Sequence, residues 1–282
     1  MLLDALLVAV RTVTIVFMLS VLVYRRHTWR IKWERGITLF VAIQAAALFL
    51  CGPVSSITVG EVLYQLTGLH DLDNLLGCVA YVLAFGTIAG SMLWRVGADD
   101  HDGAALVTRG IIAPAFGVAI PLMVASFLAS DAVQFDPALS LPEVHPDAAL
   151  RVFLCTVYAT CALFMLYSLL ALRIISQDAR QAQVARDWRR AMLCGVLGCA
   201  AGVVDTLVPT LEASWVMWVA ICALGASCAY IAGRAWRRRM APYRKLHRAV
   251  RTRRRKRRTE TVHERRRQPT AYTRGDRRGT TS

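Results

Sequence analysis

The stretch ALLVAVRTVTIVFMLSVLVYRR, Ala5 to Arg26, decides the fold. From Ala5 to Tyr24 it is apolar apart from Arg11 and a few hydroxyls, and it closes on the pair Arg25 and Arg26. A hydrocarbon core about 30 Å thick needs about 20 such residues in a helix. A cleaved secretory leader is the competing reading. Asp4 stands where a leader carries its basic residues, and the two arginines form a stop-transfer flank in place of a small-residue cleavage site, so the segment is read as a retained transmembrane helix.

Six further stretches repeat the pattern: Gly36 to Ile57, Asn74 to Trp94, Gly110 to Ser130, Ala149 to Leu172, Ala191 to Leu211 and Ser214 to Ala235. The fold class this predicts is all-α, a polytopic membrane protein with seven transmembrane helices over residues 1–235 and a polybasic tail over 236–282. The connecting charges alternate in sign. Arg25, Arg26, Arg30, Lys32 and Arg35 follow the first helix, Arg95 and Arg109 flank the loop after the third, and Arg173, Arg180, Arg186, Arg189 and Arg190 follow the fifth. The other connections carry Glu61, Asp71, Asp73, Asp131, Asp136, Glu143, Asp147 and Glu212, with Arg151 the one base nearby. Lys and Arg are retained on the cytoplasmic side during insertion, so the N-terminus is expected outside and the C-terminus inside. Tyr24, Trp29, Trp33, Trp94, Trp188 and Trp236 mark the inner ends, and Tyr64 and Trp215 the outer ones, as amphipathic rings at headgroup level do.

The formal charge of +15 is unevenly spread: 20 of the 34 Lys and Arg lie from Arg234 onward. In the tail Trp236, Met240, Tyr243, Leu246 and Val250 recur at three- to four-residue spacing between Arg237, Arg238, Arg239, Arg244, Lys245, Arg248 and Arg251, which predicts a short amphipathic helix limited or kinked by Pro242. The run Arg253, Arg254, Arg255, Lys256, Arg257 and Arg258 follows, and Thr259 to Ser282 has too little apolar surface to offset the entropy of ordering. Anionic lipid of the inner leaflet is the favoured partner for these bases. Nucleic acid suits arginine runs electrostatically, but the run has no interleaved aromatics on which bases would stack.

Inside the membrane segments, charge and small residues carry the information. Arg11 and Asp205 lie at similar depth near the outer ends of their helices and are expected to form an intramembrane charge pair, because a lone charge at mid-helix costs about 2.5 to 3.5 kcal/mol. The alternatives are a pair that merely fixes helix register, or Arg11 snorkelling toward Asp4. Gln44 and Thr206 add polar groups without forming a recognisable relay, while Pro209 is expected to kink or end the sixth helix and Pro114 and Pro121 interrupt the fourth. Gly86 and Gly90, Gly198 and Gly202, and Gly225, Ala229 and Gly233 form small faces that admit close backbones, so helices six and seven are expected to pack tightly, and the short connection around Glu212 and Ala213 makes them antiparallel neighbours.

Other features read as ordinary. Cys51, Cys78, Cys155, Cys161, Cys194, Cys199, Cys222 and Cys228 all lie in apolar segments without a C-x-x-C pair, as small buried hydrophobes do. The turn Asp99, Asp100, His101, Asp102 lacks a calcium-loop pattern, and His70 and His145 read as solvated side chains, so no metal or cofactor is expected. Neither a nucleophile elbow nor a zinc-protease helix nor a phosphate-cradling loop occurs, and an enzyme is not expected.

The stretch Leu66, Thr67, Gly68, Leu69, His70, Asp71, Leu72, Asp73, Asn74, Leu75, Leu76 resembles the approach to the third helix in an actinobacterial seven-helix putative transporter family, and Tyr243, Arg244, Lys245, Leu246 after the seventh helix resembles the start of that family's cytoplasmic domain. The resemblance covers the membrane part only. Asp71 replaces an expected neutral residue, and the arginine tail replaces that family's cytoplasmic domain. It implies a multi-pass protein of the bacterial inner membrane whose transporter label rests on topology. The Ala- and Arg-rich composition fits a high-GC bacterial or phage genome. The expected function is transport of an unspecified substrate; the alternative is a sensor or scaffold that recruits a cytoplasmic protein through the tail.

Overall fold

The structure, a computed structural model, describes residues 2–96, 108–132, 146–179, 181–211 and 213–267. The expectations placed on Asp99 to Asp102, Asp136, Glu143, His145, Arg180, Glu212 and 268–282 lie outside the described residues, as do the side chains of Asp4, Arg30, Lys32, Trp33 and 241–267. The chain divides into two units, Met1–Ala235 and Trp236–Ser282.

Every element among the described residues is helical. The principal helices are α1 (Leu2–Tyr24), α2 (Lys32–Leu50), α3 (Pro53–Thr67), α4 (Leu72–Val96), α5 (Ala113–Leu128), α6 (Ala148–Ile175), α7 (Ala182–Leu207) and α8 (Ser214–Arg267). Among the described residues six helices are long and apolar enough to cross a membrane, and the bent pair formed by α2 and α3 adds a seventh crossing if its halves count as one span. The outward faces agree with that reading, because Val13, Val23, Val118, Leu170 and Leu197 are exposed on them. An apolar exterior around an apolar interior is what lipid tolerates and water does not. The chain is a multi-pass integral membrane protein.

The expected second span, Gly36 to Ile57, is broken in the structure. α2 stops at Leu50, the chain turns through 67°, and α3 begins at Pro53. Proline has no N–H to donate, and its ring would collide with the carbonyl four residues back. Gly52 supplies the extended residue before it, with φ −109° and ψ 155°, and its carbonyl accepts the Ser55 N–H at 2.9 Å to start the new helix. The apolar run continues past this dipeptide, so hydropathy alone reads through the break. α3 winds as a π-turn over Ser56–Gly60 and ends at Gly68, whose φ of +73° closes the helix through an N–H to the Tyr64 carbonyl.

Two other boundaries differ from expectation, the start of α7 and the extent of α8, while Pro209 ends its helix as expected. α7 begins at Ala182, so Arg186, Arg189 and Arg190 lie on its first turns, and Pro209 ends it by opening a 3-10 turn over Pro209–Leu211. Thr259 to Arg267, expected to be unordered, has helical backbone as part of α8. Extending an existing helix adds one bond per residue fixed, and Arg, Lys, Met and Ala are good helix formers.

Packing in Met1–Ala235 is set by small residues. α2 and α4 run antiparallel, with Gly36 against Ser91 at one end and Gly77 against Cys51 at the other. α4 and α5 meet where the Phe116 ring fills the space above Gly86, α6 and α7 where Tyr158 lies over Gly202, and α7 and α8 where Ala220 abuts Gly198. α1 and α8, the first and last spans, run parallel: Arg11 lies against Trp218, Met18 against Gly225, and Val21 against Gly233. Where no water is squeezed out, such close approach gives dispersion contacts that hold the helices together.

Candidate functional site

α1 turns the stripe Arg11, Thr14, Met18, Val21 and Arg25 into the bundle, at the three- and four-residue spacing that keeps one helix face inward. Two of the five are arginines, and they do different things. At the end of α1, Arg25 is 1% exposed; its Nη2 meets Glu34 Oε2 at 2.7 Å and Thr38 Oγ1 at 3.3 Å, while Nη1 donates to the Ala232 carbonyl of α8. Thr28 and Thr38 join the same knot through hydroxyls 2.7 Å apart. Arg25, read from sequence as one of several loop bases that set orientation, is a buried clasp between α1, α2 and α8.

Arg11 lies deeper. Its guanidinium carbon stands 3.2 Å from the centre of the Trp218 ring, a cation–π contact with a buried aromatic. Asp205, half-buried on α7, forms no hydrogen bond or ion pair among the described residues, and the structure does not bring Arg11 and Asp205 together. Depth along each helix is readable from sequence, but the face is not, and the inward face of α1 meets α2 and α8.

Further along the same interior two more polar side chains are buried. Gln44 of α2 is 1% exposed, and neither its amide oxygen nor its nitrogen has a hydrogen-bond partner. Gly225 of α8 lies against that amide, where a Cβ would stand 3.5 Å from Nε2, an ordinary contact distance. Tyr81 of α4 is buried with its hydroxyl likewise unpartnered. A primary amide offers two donors and an acceptor, and each buried polar group left unfilled costs about 1 to 3 kcal/mol. Such groups in native structures hold water, an ion or a ligand. A cavity of about 150 Å³ lies between α1 and α2, walled by Arg11, Val8, Ile15, Leu48, Phe49 and Pro53. It reaches from Arg11 to the α2–α3 break.

Sequence reading noted Gln44 but not its lack of partners, and missed Tyr81 and Trp218, which are ordinary apolar-segment aromatics until their neighbours are known. Trp188, taken as an interface marker, is buried against Phe40 with ring centres 6.4 Å apart. Trp29, Trp94, Tyr64 and Trp215 are exposed at helix ends. Asp71 and Asp73, counted as loop acids, are both buried where α4 begins.

In the tail, Arg237, Arg238 and Arg239 are exposed on α8. Arg253, Arg254, Arg255, Lys256, Arg257 and Arg258 lie on its helical backbone, and what their side chains contact lies outside the described residues. All eight cysteines are free thiols, and no metal-binding group of His, Cys, Asp or Glu occurs among the described residues.

Comparison of the chain with protein families, with curated proteins and with solved structures finds no match.

Proposed function

We propose that the chain is a transporter of a small polar solute in a bacterial cytoplasmic membrane, crossing seven times with its N-terminus outside and its C-terminus inside. The observation that carries this reading is Gln44: a wholly buried amide with both ends unfilled, lying against Gly225 of α8 in the bundle interior. Ionisable and polar side chains at membrane depth mark solute or ion paths when they face the bundle interior. The resemblance to the actinobacterial seven-helix transporter family supports the same reading, as does the bent α2–α3 pair, since interrupted spans line solute sites in many transporters.

The test is a stability screen of the purified protein against small anionic, zwitterionic and neutral solutes, followed by uptake of any hit into proteoliposomes. Wild type should be stabilised and should accumulate the solute, whereas Gln44→Leu should stay folded and do neither. If Gln44→Leu retains uptake of the hit, the amide is a packing defect and the reading fails.

A second reading is favoured by a separate observation. Three exposed arginines, Arg237 to Arg239, open a basic helical segment that runs to Arg267, suited to anionic lipid on the inner leaflet and to docking a cytoplasmic protein. A peptide of residues 236–267 should bind acidic vesicles and release them as salt rises. Tight nucleic-acid binding at physiological salt without vesicle binding would replace lipid by a nucleic-acid tether.

A further inference from the structure

The α2–α3 break surrounds a carboxylate that has no counter-charge. Asp73, in the first turn of α4, is 1% exposed. Its Oδ2 accepts a long hydrogen bond from Ser56 Oγ at 3.3 Å, its Oδ1 has no partner, and no ion pair among the described residues includes it. The carboxylate is laid flat against Gly60: a Cβ there would stand 3.1 Å from Oδ1, 3.2 Å from the carboxyl carbon and 3.3 Å from Oδ2. Glycine at 60 is therefore what admits the group to this corner. One residue before Ser56, Ser55 is wholly buried and its hydroxyl also has no partner.

These observations share one requirement. A buried carboxylate with a single weak donor is too costly to stand as a bare charge, so something positive must meet it. The groups shown together are both oxygens, the Asp73 carboxylate and the Ser56 hydroxyl, and the unpartnered buried hydroxyl of Ser55 is on the adjoining residue. Oxygen donors with a single formal charge suit a small hard cation of charge one, and no group of three acidic, histidine or cysteine side chains that would favour a divalent ion occurs among the described residues. The π-turn over Ser56–Gly60 fits the same use, because π-turns gather at functional positions and irregular backbone at membrane depth persists where it lines a site. Other titratable groups on the adjoining elements are Glu61, His70, which stacks on Tyr64 at 4.0 Å, and Asp71, whose Oδ1 accepts from Asn74 at 3.0 Å.

We propose that Asp73, with the hydroxyls of Ser55 and Ser56, binds a sodium ion at the α2–α3 break. The site does not depend on the solute reading of Gln44 and stands or falls separately from it.

The experiment follows thermal unfolding of the full-length protein in detergent by tryptophan fluorescence, replacing choline chloride by NaCl or KCl at constant ionic strength. The midpoint should rise saturably with sodium, by mass action on the folded state, and less with potassium. Asp73→Asn, which keeps the shape and removes the charge, should fold and lose the response. Ser56→Ala should weaken the sodium midpoint concentration about tenfold, and Gly60→Ala, which pushes the carboxylate aside, should weaken it too. Identical unfolding in sodium and choline overturns the proposal, as does an equal sodium response in Asp73→Asn. A midpoint that rises on acidification and ignores sodium also overturns it, since a proton would then be what neutralises Asp73. If Asp73→Asn fails to fold, the wild-type and Gly60→Ala titrations decide alone.

Discussion

Arg25 and Glu34 face each other at 2.7 Å with side chains 1% and 4% exposed, which makes them a buried ion pair at the junction of three helices. Breaking such a pair from one side removes a charge while its opposite stays buried, a loss of about 3 to 5 kcal/mol. Arg25→Ala is therefore expected to lower the unfolding midpoint and the folded yield sharply. Arg25→Lys should rescue little, because one ammonium cannot reproduce a planar fork that reaches Glu34, Thr38 and the Ala232 carbonyl at once. Wild-type unfolding in Arg25→Ala would show that the clasp carries no stability.

Asp147 ties the start of α6 to the end of α5. Burial pushes its carboxyl upward, but the Leu150 N–H at 2.7 Å, the Ser130 hydroxyl and the Ala132 and Asp131 N–H groups outweigh that and hold it below the ordinary 3.8. A depressed folded-state value means that the stabilisation is complete above the unfolded value and is lost as pH falls through the folded one. Stability of the wild type should thus decline in the acid range below about 4. Asp147→Ala should cost about 1 kcal/mol at neutral pH and should show a shallower acid decline, read from unfolding curves across pH.

Gly202 is roofed by the Tyr158 ring, which a Cβ would approach to 2.8 Å. Gly202→Val should destabilise the α6–α7 contact by about 1 to 3 kcal/mol through overpacking. Gly117→Ala, on α5 with nothing within 4 Å of the added carbon, serves as the matched control and should unfold like wild type.

Orientation is checked by labelling in a background without the eight native cysteines. Ser140→Cys should react from outside intact cells and Ser282→Cys only after permeabilisation. Reaction of both from one side would exclude an odd number of crossings.

The helices and their close contacts were legible because they rest on local rules. An apolar run of spanning length needs no partner to be recognised, and Gly198 and Gly202 announced tight neighbours, found as Ala220 and Tyr158. What depends on azimuth was not legible. Arg11 and Asp205 share a depth, yet α1 turns Arg11 toward Trp218. Trp188 carries the same residue type as exposed Trp94 but meets Phe40. Gly52 and Pro53 were a readable break, hidden because hydropathy ignores backbone chemistry. Gln44 looked inert since a missing hydrogen bond is a property of neighbours, not of the residue.

The parallel seating of α1 on α8 has a consequence in time. A ribosome makes α1 first and α8 last, so the Trp218 ring under Arg11 and the Ala232 carbonyl that receives Arg25 do not exist until nearly the whole membrane part has been synthesised. Through most of translation the opening span carries two arginines whose final surroundings are still unmade. A chain cut short before residue 214 would keep both arginines without the partners that α8 supplies.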